Sequence, residues 1–278
     1  MTESSAGTIR SRDRSSSRGS SGGASRGSER RSSRGSGRRE SARHTWRSGG
    51  SSVARWDWEL VGWAVLLLGA GILLSTLADR LLGGTLGSGL SLAALWGGML
   101  AAIMLAFVRS RPRTLLRFHP FDLLYGLVLG VLLRLVQGFL EIAGTGTAAW
   151  PSIATVDGRL PASFWFDGVL APIVISPLLE EFFFRAVLLV AIFTAVRRMT
   201  DSRSWAGFAA IAATTVLFVG LHLVFEVYAW WSLVSIALVG LVCGGLVIAT
   251  SRIWGAVLTH VVFNAVFVGM LVIGTVGA

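Results

Sequence analysis

Side chains able to do acid–base chemistry lie inside long hydrophobic runs of this protein. Glu180 and Glu181 stand in the stretch Pro177-Leu178-Leu179-Glu180-Glu181-Phe182-Phe183-Phe184-Arg185, His222 follows Phe218 by four residues, and His260 precedes Asn264 by four. An ionisable group buried in an apolar span is costly unless it faces protein or water, so each is a functional candidate. Glu181 and Arg185 are i and i+4 with the acid first, the favourable order for a helical ion pair, and are expected to neutralise each other. At 3.6 residues per turn Glu180 is rotated by about 100° from Glu181 and is left without that partner. His260 and Asn264 share one helix face, as do Phe218 and His222. A carboxylate without a fixed cation, two imidazoles and a carboxamide supply a base for water and donors for an oxyanion, which are the parts of a hydrolase. A Ser or Cys nucleophile is not required. Ser176 and Pro177 read as a helix N-cap followed by proline at the first helical position. Cys243 has only apolar or glycine neighbours and reads as a small buried hydrophobe.

The elements that position these residues follow from composition. The protein has 278 residues, of which 53% are hydrophobic and 14% charged, which excludes an ordinary soluble domain. The formal charge of +10 is concentrated in residues 1–50, almost entirely Ser, Gly and Arg. Such a segment cannot bury enough apolar surface to offset the entropy of ordering, so residues 1–55 are expected to form a disordered tail. Its aromatic residues are too few for a nucleic-acid stacking platform, and anionic lipid headgroups are the better-suited partner. Residues 56–278 break into seven apolar stretches near 60–78, 88–108, 121–143, 166–196, 205–225, 230–250 and 254–275, each long enough to cross a bilayer as a helix. The expected fold is therefore an all-α polytopic transmembrane bundle. The fourth stretch is too long for one straight crossing and holds Pro172 and Pro177, so a kink or two helical pieces are expected there.

Arginine distribution orients the bundle. Arg109, Arg111, Arg113 and Arg117 follow the second stretch, Arg197, Arg198 and Arg203 the fourth, and Arg252 the sixth. The positive-inside rule then places the N-terminus in the cytoplasm and the C-terminus outside, in a multi-pass protein of the cell membrane.

The order Glu-Glu-x-x-x-Arg at 180–185, Phe-x-x-x-His at 218–222 and His-x-x-x-Asn at 260–264, each on its own hydrophobic stretch, resembles the CAAX protease and bacteriocin-processing family (the Abi group), whose relatives include the type II CAAX prenyl endopeptidases. The resemblance covers about residues 165–278. It implies an intramembrane glutamate endopeptidase in which Glu180 and His222 activate water, His260 and Asn264 stabilise the oxyanion, and Glu181, Arg185 and Phe218 brace the site. It also implies a peptide or protein substrate reached within or beside the membrane. Arg185 is followed by Ala186 where members often have Gly, a departure that bears on packing. Two His and a Glu also suit Zn²⁺, so a metal-dependent variant with Glu180, His222 and His260 as ligands stays open beside the metal-free one.

Other classes compete. Membrane acids and histidines also build proton relays, although no internal repeat of the kind many carriers show is visible, and the same cavity would suit a catalytically silent scaffold or immunity protein. Arg134 and Glu141, seven apart in the third stretch, read as structural, and the Phe182-Phe183-Phe184 run reads as packing or lipid contact. One tension concerns depth: His222 falls near the outer end of the fifth stretch and His260 in the inner part of the seventh, a mismatch of roughly 10–15 Å at 1.5 Å per residue.

Overall fold

The computed structural model describes residues 46–48, 53–148, 150–153, 155, 160–161 and 163–276. The expected tail falls mostly outside these residues. Helices α1 (Trp58–Leu82), α2 (Gly84–Arg109) and α3 (Pro120–Thr145) precede a composite helix, α4, which runs from Trp165 to Thr200; α5 (Arg203–Phe225), α6 (Trp230–Thr250) and α7 (Trp254–Val276) complete the bundle. Six of these, all but α4, are long and apolar enough to cross a membrane. The described residues hold helices and no strand.

Local chemistry sets the helix ends. Asp57 accepts the Leu60 N–H at 3.2 Å to start α1, and Ser202 accepts the Trp205 N–H to start α5. His119 and Asp122 form a capping box around Pro120 at the head of α3, where a proline costs no helical hydrogen bond. Gly146, in the left-handed region at φ 74°, ends α3.

Helix α4 is one composite helix and not two separate pieces. It is wound continuously, as π-helix over Trp165–Ile175, α-helix over Ser176–Glu181, π-helix over Phe182–Leu189 and α-helix over Val190–Thr200. Ser176 is helical (φ −61°, ψ −51°) with no capping bond of its own, which corrects the reading of Ser176 and Pro177 as a fresh helix start. Two prolines without N–H groups are absorbed by widening the turn.

Small residues let helices meet. A Cβ on Gly98 would lie 2.6 Å from the Leu67 carbonyl oxygen, and one on Gly130 would lie 2.8 Å from that of Thr259. Gly126 likewise meets Leu258, so a small-xxx-small stripe of α3 lies against α7.

The arginine-bearing connections gather at one end of the bundle. Ile253 N–H donates to the Leu115 carbonyl at 2.9 Å, Trp254 Nε1 to Leu116, and Arg252 pairs with Asp122 at 2.8 Å. That hydrogen-bonded pairing raises the Arg252 pKa above its ordinary value. Arg198 donates to the Val53, Ala54 and Trp56 carbonyls, and Arg109 pairs with Glu59.

Part of the segment read as tail, residues 46–48 and 53–55, lies among the described residues. Trp46–Ser48 forms a 3₁₀ turn, and the Trp46 ring is fully buried, edge-on to Phe193 at 5.3 Å, with its Nε1 donating to the Ser251 carbonyl at 3.2 Å. Val53 and Trp56 are also buried. Three apolar side chains at the border of a polar segment suffice to dock its last residues.

Candidate active site

Helices α4 and α5 form an antiparallel hairpin joined by Asp201 and Ser202. Glu181 and His222 stand equally far from that connection along their helices, so the hairpin brings them to one level. Helix α7 begins deeper: Trp46 touches both Phe193 and the Ser251 carbonyl, placing the start of α7 beside Phe193, roughly 10 Å inside the Thr200 end at 1.5 Å per residue. This stagger resolves the depth mismatch between His222 and His260. The Phe218 ring then contacts both imidazoles, with centroids 4.7 Å from His222 and 5.8 Å from His260.

Glu181 is a buried hub. Its Oε2 lies 3.3 Å from Arg185 Nε, both side chains fully buried, and its Oε1 lies 3.0 Å from His260 Nδ1. The expected i, i+4 ion pair is present, while the bond to His260 joins residues 79 apart and has no local signature. The guanidinium meets the carboxylate without hydrogen-bond geometry and rests 4.3 Å from the centre of the Phe218 ring, a cation–π contact that partly compensates its burial. Glu180 turns the other way, as its rotation requires, and its Oε2 approaches His260 Nε2 to 3.9 Å. His260 thus stands between the two glutamates.

The remaining polar groups are oriented by backbone. His222 Nδ1 lies 2.8 Å from the Phe218 carbonyl; a carbonyl can only accept, so the proton sits on Nδ1 and Nε2 carries the lone pair. Asn264 Nδ2 donates to the Pro172 carbonyl at 2.7 Å. That carbonyl is free for a covalent reason. Ser176, the α-helical donor for Pro172, bonds instead to Ala171, and the π-helical donor would be residue 177, a proline without an N–H.

Glu180, His222, His260 and Asn264 line one cavity of about 610 Å³, together with Phe218. Glu181 and Arg185 lie behind its wall. Cys243 is fully buried, its Sγ 3.5 Å from the Ala256 carbonyl, as a packing residue would be. Phe183 and Phe184 are also buried, with Phe184 edge-on to Phe218 at 5.3 Å, so these two rings pack the interior. Among the described residues no three His, Cys, Asp or Glu side chains converge into a group that would hold a metal ion.

Glu226, Tyr228, Arg134, Gln137 and Glu141 also line the cavity and were not singled out as site residues from the sequence. Glu226 is one turn beyond His222, a spacing that signals it. Tyr228 has no helical register to betray it; burial, and the neighbouring Glu226 and Glu180 carboxylates, push its phenol up to about 12, so it stays a neutral donor.

Residues 162–266 match the family model of the type II CAAX prenyl endopeptidase Rce1-like proteins, a span that contains all three motifs. No curated protein and no solved structure matches the sequence.

Proposed function

We propose that this protein, whose residues 162–266 match the family model of the type II CAAX prenyl endopeptidase Rce1-like proteins, cleaves a peptide bond within the membrane using water activated by Glu180 and His222. The family match and the six long apolar helices support the reading of a multi-pass membrane endopeptidase. The observation that carries the finer reading is the convergence of Glu180, His222, His260 and Asn264, from three helices, on one cavity.

In this reading a water held between Glu180 and the basic Nε2 of His222 loses a proton to the carboxylate as it attacks the scissile carbonyl. His260, held at Nδ1 by Glu181 at 3.0 Å and with Nε2 3.9 Å from Glu180, turns its Nε2 edge toward the position of the oxyanion. Asn264 has one amide hydrogen committed to Pro172, and the other is available to the same oxyanion. Collapse of the tetrahedral intermediate breaks the C–N bond, and the proton held by Glu180 passes to the leaving amine.

Glu180→Gln keeps the shape of the side chain and removes its basicity. Purified wild type and variant, given a peptide library in detergent or lipid, should differ by at least about 10²–10⁴-fold in cleavage, with unchanged melting temperature. Full activity in the variant overturns the mechanism. Loss of wild-type activity with chelator, restored by Zn²⁺, would instead make Glu180, His222 and His260 metal ligands.

A further inference from the structure

Arg134 sits midway along α3, one turn beyond Gly130, where the glycine stripe presses α3 against α7. Its residue surface is 8% exposed. Nε and Nη2 both donate to the Phe263 carbonyl, at 3.0 and 2.7 Å, and Nη1 donates to Gln137 Oε1 at 2.6 Å. The guanidinium lies 3.8 Å from the centre of the Phe263 ring and 4.8 Å from that of Phe267. Every one of these partners is neutral. Among the described residues no carboxylate stands within ion-pair distance of Arg134, and Glu141 lies two turns along the same helix.

A buried guanidinium without a contacting counter-ion is costly in a membrane-embedded site. A structural tie between α3 and α7 needs no positive charge, because a neutral amide would serve the Phe263 carbonyl. Arg134 also lines both the cavity of about 610 Å³ and an adjoining pocket of about 210 Å³ that holds Gln137, Glu141 and Trp150. Three of its five N–H groups are used, which leaves two. The carbonyl that anchors it belongs to the residue before Asn264, so its position is tied to the oxyanion donors.

We propose that Arg134 recognises a carboxylate on the substrate and so fixes the register of the peptide against Glu180. This rests on the peptidase reading of the cavity. Glu141, Glu180 and Glu226 line the same space and disfavour another carboxylate everywhere except against the guanidinium, which makes Arg134 a specificity determinant. The carboxylate has two possible sources, the C-terminus of the substrate peptide or an Asp or Glu side chain.

The test uses full-length protein in lipid nanodiscs and a random hexapeptide pool in three forms: free C-terminal acid, C-terminal amide, and amide with one fixed Glu. Cleavage is read in wild type, and retention of the intact pools is read in wild type and Glu180→Gln, so that recognition is measured even if no peptide is cut. Wild type should favour the acid or the Glu form over the plain amide by about 10- to 100-fold, the value of a charge-assisted pair. Which form wins identifies the source. In Arg134→Met the preference should collapse, and in Arg134→Lys it should shrink, the charge being kept but the fork lost. Equal handling of the three pools by wild type overturns the proposal without any variant, as does a preference that survives in folded Arg134→Met. Preferential retention by Glu180→Gln without cleavage by wild type would uphold Arg134 and refute the peptidase reading.

Discussion

Glu181 shows how one buried carboxylate serves two neighbours, since its oxygens meet Arg185 at 3.3 Å and His260 at 3.0 Å. Replacing it by Gln leaves the guanidinium as an uncompensated charge, and breaking a buried pair in this way costs about 3–5 kcal/mol. Glu181→Gln should therefore lower expression and melting temperature together, whereas Glu180→Gln, on the cavity wall, should not. Circular dichroism melts of the two variants in one detergent check this. A Glu181→Gln protein as stable as wild type but inactive would reverse the two roles.

Among the elements, α4 does the positioning. Its prolines force the π winding that strands the Pro172 carbonyl, and that carbonyl holds the Asn264 amide in place. Pro177→Ala restores an N–H able to reach Pro172 in π register and so competes with Asn264 for the same acceptor. The expected result is a fall in kcat toward that of Asn264→Ala, with KM and melting temperature near those of wild type, since a helix loses nothing by exchanging proline for alanine. Steady-state kinetics on one cleaved peptide decide it. Unchanged kcat would mean that Asn264 needs no such anchor.

At the scale of the whole molecule, the N-terminal segment ends in a docked hook. Removing residues 1–45 takes away only Met1 and Ile9 as large apolar side chains and should leave stability in detergent almost unchanged. Removing residues 1–50 also takes Trp46, which is fully buried and bonded to Ser251, and should cost about 3–5 kcal/mol. Thermal melts of the two truncations test this, and equal stability would show the hook to be dispensable. The contacts that gather Arg109, Arg198 and Arg252 at one end support the proposal that this end faces the cytoplasm. Reporter fusions should then place the N-terminus inside and the C-terminus outside, and a cytoplasmic C-terminus would refute the seven-crossing count.

The amino-acid sequence by itself determined the membrane class, the helical fold and the polar motifs, because apolar runs of spanning length and i, i+4 spacings are local properties. The Glu181–Arg185 pair was legible for that reason, and so was the opposite orientation of Glu180. Tertiary structure alone decided that Glu181 also holds His260, that Pro172 anchors Asn264, and that Arg134 and Tyr228 face the same cavity. Each of these joins different segments, and periodicity within one helix carries no information about its neighbour's depth. The stagger of α7 against the α4–α5 hairpin arises because α4 runs well past the level at which α7 begins, a difference no single helix's pattern records. The docking of Trp46 was hidden in the same way: one aromatic residue at the edge of a polar tail becomes a core residue only when Phe193 and Ser251 supply the surface that buries it.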